Sequence, residues 1–308
     1  MSGRLNEVNI RMSDGCTIHA VWMKPKKELI GHVHIFHGMA EHIGRYEPFM
    51  EYLCSNGYAV SGHDHRGHGQ TALKAGNLGH FGDNIGFDRI VEDGNEIIEH
   101  FKTIIPANRF ILFGHSMGSF IARRYAQLFG DKLDMLICSG TGNDPKWSRK
   151  AGKALAMLRR KMSGADKPDV LLNSLVFGNY SKTVKNAETP FDWLSRDKAS
   201  VGKYIEDPLC GFVPTTQFFI NLFEGIGTIH MVKNIEYMPK DLRILLLSGE
   251  DDPVGGFGKG IYKVADQYDQ AGLKDVTVML YAGGRHEMLH ETNRQEVFEF
   301  TKKWIERK

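Results

Sequence analysis

The chain has 308 residues, 42% of them hydrophobic, and 39 Lys and Arg offset 37 Asp and Glu to leave a formal net charge of +2. That length buries a sizeable core, either as one large α/β domain carrying an inserted subdomain or as two domains. The near-neutral balance excludes the one-sided basic face that phosphate-backbone binding requires, so no nucleic-acid partner is expected.

Residues 1–14 contain no apolar leader, and no stretch approaches the roughly 18 uncharged apolar residues of a membrane span. Residues 17–23 (TIHAVWM) follow an Asp14-Gly15 turn and read as a strand. Residues 32–37 (HVHIFH) alternate polar and apolar and form a second. Residues 45–56 carry Tyr46, Phe49, Met50 and Leu53 at helical spacing and stop at Gly57. A short strand at 58–61 leads into a Gly- and His-rich loop at 62–69. Residues 85–105 form a helix with Ile90, Val91, Ile97, Ile98 and Phe101 on one side. The continuous apolar runs 109–113 (RFILF) and 135–138 (MLIC) are strands of a parallel sheet buried on both faces, with a helix over 116–129 between them. After Met238, strands at 243–247 and 276–280 and a closing amphipathic helix at 296–306 resume the pattern. This alternation predicts a doubly wound, mostly parallel α/β sheet.

The pattern fails between Gly142 and Lys233, where aromatics are dense: Trp147, Phe177, Tyr180, Phe191, Trp193, Tyr204, Phe212, Phe218, Phe219 and Phe223. Residues 143–232 are therefore expected to form a helical cap, or lid, above the carboxyl ends of the strands. Residues 1–142 and 233–308 make the core. Within the cap, residues 147–162 are basic and amphipathic, with Trp147, Ala151, Ala154, Leu155, Leu158 and Met162 on one face. Two accounts fit: a helix packed on the domain below, or a lid making transient membrane-surface contact. The four cysteines, Cys16, Cys54, Cys138 and Cys210, are widely spaced and form no CxxC pair. That spacing reads as free thiols in a reducing, cytoplasmic compartment, with Cys54 and Cys138 as small buried hydrophobes.

Gly114-His115-Ser116-Met117-Gly118 directly follows the RFILF strand and opens a helix. A sharp strand-to-helix turn exposes the serine hydroxyl and brings two backbones together, so Gly114 and Gly118 have to be small. The helix N-terminus sets amide groups beside the reacting centre. A serine needs an imidazole to accept its proton. His286, the first histidine after the last strand, in the loop Gly283-Gly284-Arg285-His286, fills that role, with His290 as the alternative. The orienting acid comes from Glu250, Asp251 or Asp252, which follow the RILLLS strand, and chemistry alone leaves the three open. Oxyanion stabilisation needs preorganised donors. One is the Met117 amide, and the other comes from the loop after HVHIFH, assigned to Met39, with Gly38 permitting close backbone approach. The order nucleophile, acid, base is that of α/β-hydrolases.

HIFHGMAEHIGRYEPFMEYLCSNGYAVSGHDHRGHGQT, FGHSMGS, LLLSGEDDPV and GGRHEMLHE together resemble the monoacylglycerol lipase and lysophospholipase group of α/β-hydrolases, also called serine-aminopeptidase-like, over roughly residues 30–140 and 240–306. The resemblance places the family's G-x-x-D acid on Asp252 and its catalytic histidine on His286, and residues 195–209 are similar to the family's cap. Ser119 departs from a usual second glycine, and residues 142–185 match only loosely. The resemblance implies a serine hydrolase acting on a small, lipid-like carboxylic ester, with no cofactor. The alternatives are a peptidase or small aryl or alkyl esterase with the same triad, and a non-catalytic hydrolase-fold binder. A peptidase selecting α-amines needs an acidic subsite, for which Glu188, Asp192, Asp197 and Glu206 are the candidates. No metal is expected at the loop 64–69, which resembles a structural loop under the site with Asp64 and Arg66 in buried polar contacts.

Overall fold

A computed structural model describes residues 4–83 and 85–307. Among them, eight strands form one sheet in the order β1-β2-β4-β3-β5-β6-β7-β8. The strands are β1 (Asn6–Arg11), β2 (Thr17–Met23), β3 (Gly31–Phe36), β4 (Tyr58–His63), β5 (Phe110–His115), β6 (Met135–Ser139), β7 (Arg243–Gly249) and β8 (Asp275–Tyr281). The β1·β2 and β2·β4 pairs are antiparallel; every pair from β4 onward is parallel. Helices α1 (Glu47–Ser55), α2 (Gly69–Ala75), α3 (Phe87–Ile104) and α4 (Met117–Phe129) connect the first six strands. Helices α5 (Lys146–Ser163), α6 (Val170–Phe177), α7 (Lys198–Glu206), α8 (Thr216–Ile229) and α9 (Val232–Ile235) occupy the insertion between β6 and β7. Helix α10 (Lys259–Gln270) precedes β8 and α11 (Arg294–Glu306) closes the chain.

Strands β3, β5, β6 and β7 are buried on both faces because a helical layer covers each side. One layer packs Ile121, Tyr125, Leu222 and Val264 against Leu112, Leu136 and Leu246. The other packs Phe49, Leu53, Val297 and Phe298 against Ile111, Ile137 and Leu245. Burial on both faces removes the two-residue periodicity that a half-exposed strand would show, so β5, β6 and β7 read as hydrophobic runs, whereas β3 keeps the alternation made by His32 and His34 although all of it is buried.

Several elements lie outside the sequence expectations, among them α2 and the following three. Residues 6–11 form an edge strand whose partner is β2, its short alternation masked by Asn and Glu. Strand β4 runs on through Gly62 and His63 because β3 on one side and β2 on the other both offer hydrogen bonds there. Residues 259–270 are helical, with Ile261, Val264 and Tyr268 buried at helical spacing in the core.

A further difference concerns α5. Of the face read from the sequence, Trp147, Leu158 and Met162 are exposed (82%, 55% and 74%), while Leu155 is partly buried against α8. Helix α5 turns its small residues inward instead. Ala156 is buried with Phe219 and Phe223 of α8, and a Cβ on Gly152 would meet the Phe223 ring at 3.0 Å. Close approach to an aromatic helix selects the narrow face, and the larger apolar side chains are left on the outside.

A tight backbone crossing lies at Gly118, where a Cβ would stand 2.2 Å from the Phe36 carbonyl oxygen and 2.5 Å from that of His37. Gly118→Ala is therefore expected to cost about 3 kcal/mol and lower Tm by at least about 5 °C. Gly202→Ala, in α7 with open space around the added methyl, should leave Tm unchanged or raise it slightly. Thermal unfolding of the two variants checks this, and equal melting would refute the close approach.

Candidate active site

Strand β5 ends at His115 and α4 begins at Met117, so the whole reversal is made at Ser116, which adopts φ 51°, ψ −119°. This left-handed conformation is costly for a residue with a side chain, and the surroundings hold it in place. The Ser116 N–H donates to the Ser139 carbonyl at 2.9 Å, tying the turn to β6. The Ser119 hydroxyl donates to the Ser116 carbonyl at 2.6 Å, so the residue standing where the resembled family has glycine helps hold the turn. A Cβ on Gly114 would lie 2.4 Å from the Gly118 carbonyl oxygen.

Asp252 is fully buried in the loop after β7, whereas Glu250 and Asp251 are exposed. Its Oδ2 lies 3.0 Å from His286 Nδ1 and accepts from Ser248 Oγ at 3.1 Å, while Oδ1 accepts from the Val254 N–H at 2.8 Å. The three adjacent carboxylates are thus separated by geometry: one faces inward to the imidazole and two face water. Burial pulls the His286 pKa down, but the charge and hydrogen bond of Asp252 outweigh it and leave the pKa above its usual 6.5. His290 makes no such contact. Burial first, then the nearby Arg45 cation, brings its pKa down to about 4.

Ser116, His286, Met39 and Met117 all line one cavity of about 840 Å³. Among the described residues, no hydrogen bond joins the Ser116 hydroxyl to His286, and neither the Met39 nor the Met117 amide has a partner. Nucleophile and base are commonly loose before substrate binds. Two unengaged amides beside a serine at a helix N-terminus can receive developing negative charge. The imidazole lies between the His115 and Trp193 rings, at centroid distances of 4.8 and 4.9 Å. His115 is held neutral: burial, then His286, lowers its pKa to about 4.

Residues missed from sequence surround this group. Trp193 comes from the insertion, and its carbonyl accepts the His286 N–H at 3.3 Å. Glu41, Arg45 and Glu287 form an ion array in the wall of the cavity, its two carboxylates buried. Their signal was positional: each charge sits within a turn or so of the His-Gly turn or of the base.

The other nominated residues lie elsewhere. None of Glu188, Asp192, Asp197 and Glu206 lines the cavity; Glu188 pairs with Lys198 and Asp197 with Arg294. Asp64 accepts from the Ile43 and Gln70 N–H groups, and Arg66 pairs with Asp93, so the loop after β4 is a buried polar brace. His42, Asp207 and Cys210 bring donor atoms within 4.8 Å of one another. However, His42 Nδ1 accepts the Gly44 N–H at 3.2 Å, which leaves the proton on Nε2, hydrogen-bonded to Asp207 at 2.8 Å. A metal would need the lone pair of that nitrogen, so the group acts as a hydrogen-bonded tie between the loop after β3 and the insertion.

A family model described as Hydrolase_4 (serine aminopeptidase, S33) matches residues 27–293. The chain is 25% identical to a monoacylglycerol lipase of Mycolicibacterium smegmatis over 298 residues, covering 94% of this chain and 92% of that one. It is 27% identical to the monoglyceride lipase of Homo sapiens over 282 residues, covering 91% and 82%. Its structure superposes on a thermostable carboxyl esterase from Bacillus coagulans, solved in complex with glycerol, with a TM-score of 0.90, 28% identity and 98% of both chains covered.

A base acts only when neutral, so raising the His286 pKa moves the onset of activity upward: the rate should climb with pH through a midpoint above 6.5. Asp252→Asn should cut kcat about 10⁴-fold and shift that midpoint downward, while the exposed Asp251→Asn stays within about twofold. A pH–rate profile of both variants checks this, and the reverse ranking would reassign the acid.

Proposed function

The chain belongs to the Hydrolase_4 (serine aminopeptidase, S33) family of α/β-hydrolases and is a carboxylic ester hydrolase; on that premise we propose that it cleaves fatty-acyl esters, monoacylglycerols or lysophospholipids, through an acyl-enzyme on Ser116. The observation that carries this reading is the buried Asp252–His286 pair at 3.0 Å opening onto the cavity that also holds Ser116.

Ser116 Oγ attacks the ester carbonyl as His286 Nε2 takes its proton, and Asp252 stabilises the resulting imidazolium. Charge on the carbonyl oxygen is received by the Met39 and Met117 amides. Collapse breaks the bond to the alcohol, which leaves with the proton held on His286. Water then attacks the acyl-enzyme by the same steps, releasing the acid and restoring the serine. The chain's own side chains complete the cycle without a cofactor.

The apolar character of the cavity supports an acyl chain: Leu155, Leu172, Phe177, Leu222 and Phe223 line it. Its acidic lining groups, Glu41 and Glu287, are both bound to Arg45, so a free α-amine has no unpaired carboxylate to meet. This favours the ester over the peptide reading. In this reading residues 143–232 act as the cap. Trp147, Met162 and Val170 stand exposed on it beside Lys150, Arg160 and Lys161, a pattern that supports transient contact with a lipid surface. No helix among the described residues is long and apolar enough to cross a membrane. A reducing, cytoplasmic setting belongs to the same reading and rests on the wide spacing of the cysteines.

Ser116→Ala should lower hydrolysis of acylglycerols by about 10⁶-fold and abolish labelling by a fluorophosphonate. Wild-type enzyme should prefer long-acyl glycerol esters to aminoacyl-naphthylamides. Full activity in Ser116→Ala would sink the mechanism, and preference for the naphthylamides would replace the substrate class.

A further inference from the structure

Charged side chains in the wall of the cavity are bonded in an unbroken series. Glu41 is buried; its Oε1 accepts the Gly38 N–H at 2.5 Å and the Tyr46 hydroxyl at 2.8 Å, and its Oε2 accepts from Arg45 at 2.6 Å. Arg45 then grips both oxygens of Glu287, at 2.6 and 2.7 Å. Glu287 is the residue after His286, and its own N–H donates to Leu194 O at 2.7 Å. A Cβ on Gly38 would sit 2.6 Å from Glu41 Oε1, so only glycine lets the carboxylate lie against this peptide. From the opposite side, the Ala40 carbonyl accepts the Tyr204 hydroxyl and the Gly211 N–H, both at 2.9 Å, and Ala40 is held at φ 54°. The turn bearing the Met39 amide is thereby clamped from below by Glu41 and from above by the insertion.

Three buried ions are a poor means of adding stability, because desolvation consumes most of their attraction and apolar replacements often do as well. What ions with bidentate geometry supply is direction. We propose that Glu41, Arg45 and Glu287 are positioning residues for ester hydrolysis, holding the Gly38–Met39 turn at a set distance and orientation from the loop that carries His286. This rests on the triad reading above and extends it: the oxyanion donor and the base are set by one shared array, not by two independent loops.

The array also carries one more negative than positive charge. His286 faces Asp252 from the loop after β7, His115 from β5, and Glu41 and Glu287 from the array, with Arg45 between the two carboxylates. His290 and His37 are neighbouring neutral rings, and Tyr180 of the insertion approaches Asp252. The excess charge favours the imidazolium that forms during reaction. Removing it should therefore move the acid limb of the rate profile to lower pH, a change that loosened packing would not produce.

The test uses the full chain with an acylglycerol substrate. Tyr46→Phe deletes one bond to Glu41, and Tyr46 does not line the cavity. It should lower kcat about fivefold with KM within about twofold and lower Tm by no more than about 8 °C, leaving the enzyme folded at the assay temperature. Glu41→Gln should lower kcat about 10²-fold and shift the acid limb downward. A folded Tyr46→Phe enzyme with wild-type kcat overturns the proposal whatever Glu41→Gln does; a folded Glu41→Gln enzyme with an unmoved acid limb also overturns it. Fluorophosphonate labelling of wild type, located by peptide mapping, runs alongside. Failure to label Ser116 there defeats the triad reading, whereas labelling at Ser116 together with wild-type variants defeats only the array.

Discussion

Backbone oxygens of Phe36 and His37 stand so close to Gly118 that no side chain fits between the start of α4 and the end of β3. This contact sets the relation of two segments far apart in sequence. Strands β3 and β5 are parallel neighbours with Phe36 opposite Gly114, so the turn at Ser116 and the turn at Gly38 leave the same edge of the sheet side by side. A serine hydroxyl and two candidate amide donors then converge without any loop having to reach. The hydrogen bond from the Ser116 N–H to Ser139 adds β6 to the same frame.

Electrostatics divides the buried histidines into two kinds. His32, His63 and His68 lie in the core or beneath the loops, where burial drives their pKa values down to about 3 and keeps them neutral. His286 is as deeply enclosed, yet its pKa moves upward because a carboxylate is bonded to Nδ1. The same desolvation acts on all of them; a directed anion decides which ring can hold a proton near neutral pH. That distinction comes from partners rather than from residue type.

The insertion has two characters. Residues around Trp193 and α7 are bound to the loop of His286 by Arg196 to Glu291, Arg294 to Asp197, and Arg285 to the Asp192 and Ser195 carbonyls. This part supplies the ring beside the imidazole and closes the cavity. Helices α5 and α6 are attached mainly through a small cluster around Ala156, Leu172 and Phe219, and they expose large apolar side chains outward. Local stability follows the density of buried contacts, so the first part is the more firmly held of the two.

Most of the parallel sheet was legible in the sequence because strands buried on both faces have to be continuously apolar and because the turn at Ser116 demands glycine on either side. The edge strand 6–11 escaped, since pairing on one side only leaves a weak alternation. Helix α5 was found, but its inward face was misread: hydrophobicity favoured Trp147 and Met162, while packing against Phe223 favoured Gly152 and Ala156. Glu41, Arg45 and Glu287 were passed over because a charge beside a motif is ordinarily a solvated surface group, and only the folded chain buries all three together. By itself, then, the sequence determined the order of elements, the fold and the residue types offered for chemistry, because these follow from local periodicity and from steric demands within a few residues. Tertiary structure alone decided which face of α5 turns inward and how the two loops are tied, and it put Asp252, the acid that the resemblance implied but residue chemistry left open, against the imidazole, because each depends on distances between segments that the chain brings together only when the sheet and its insertion have closed.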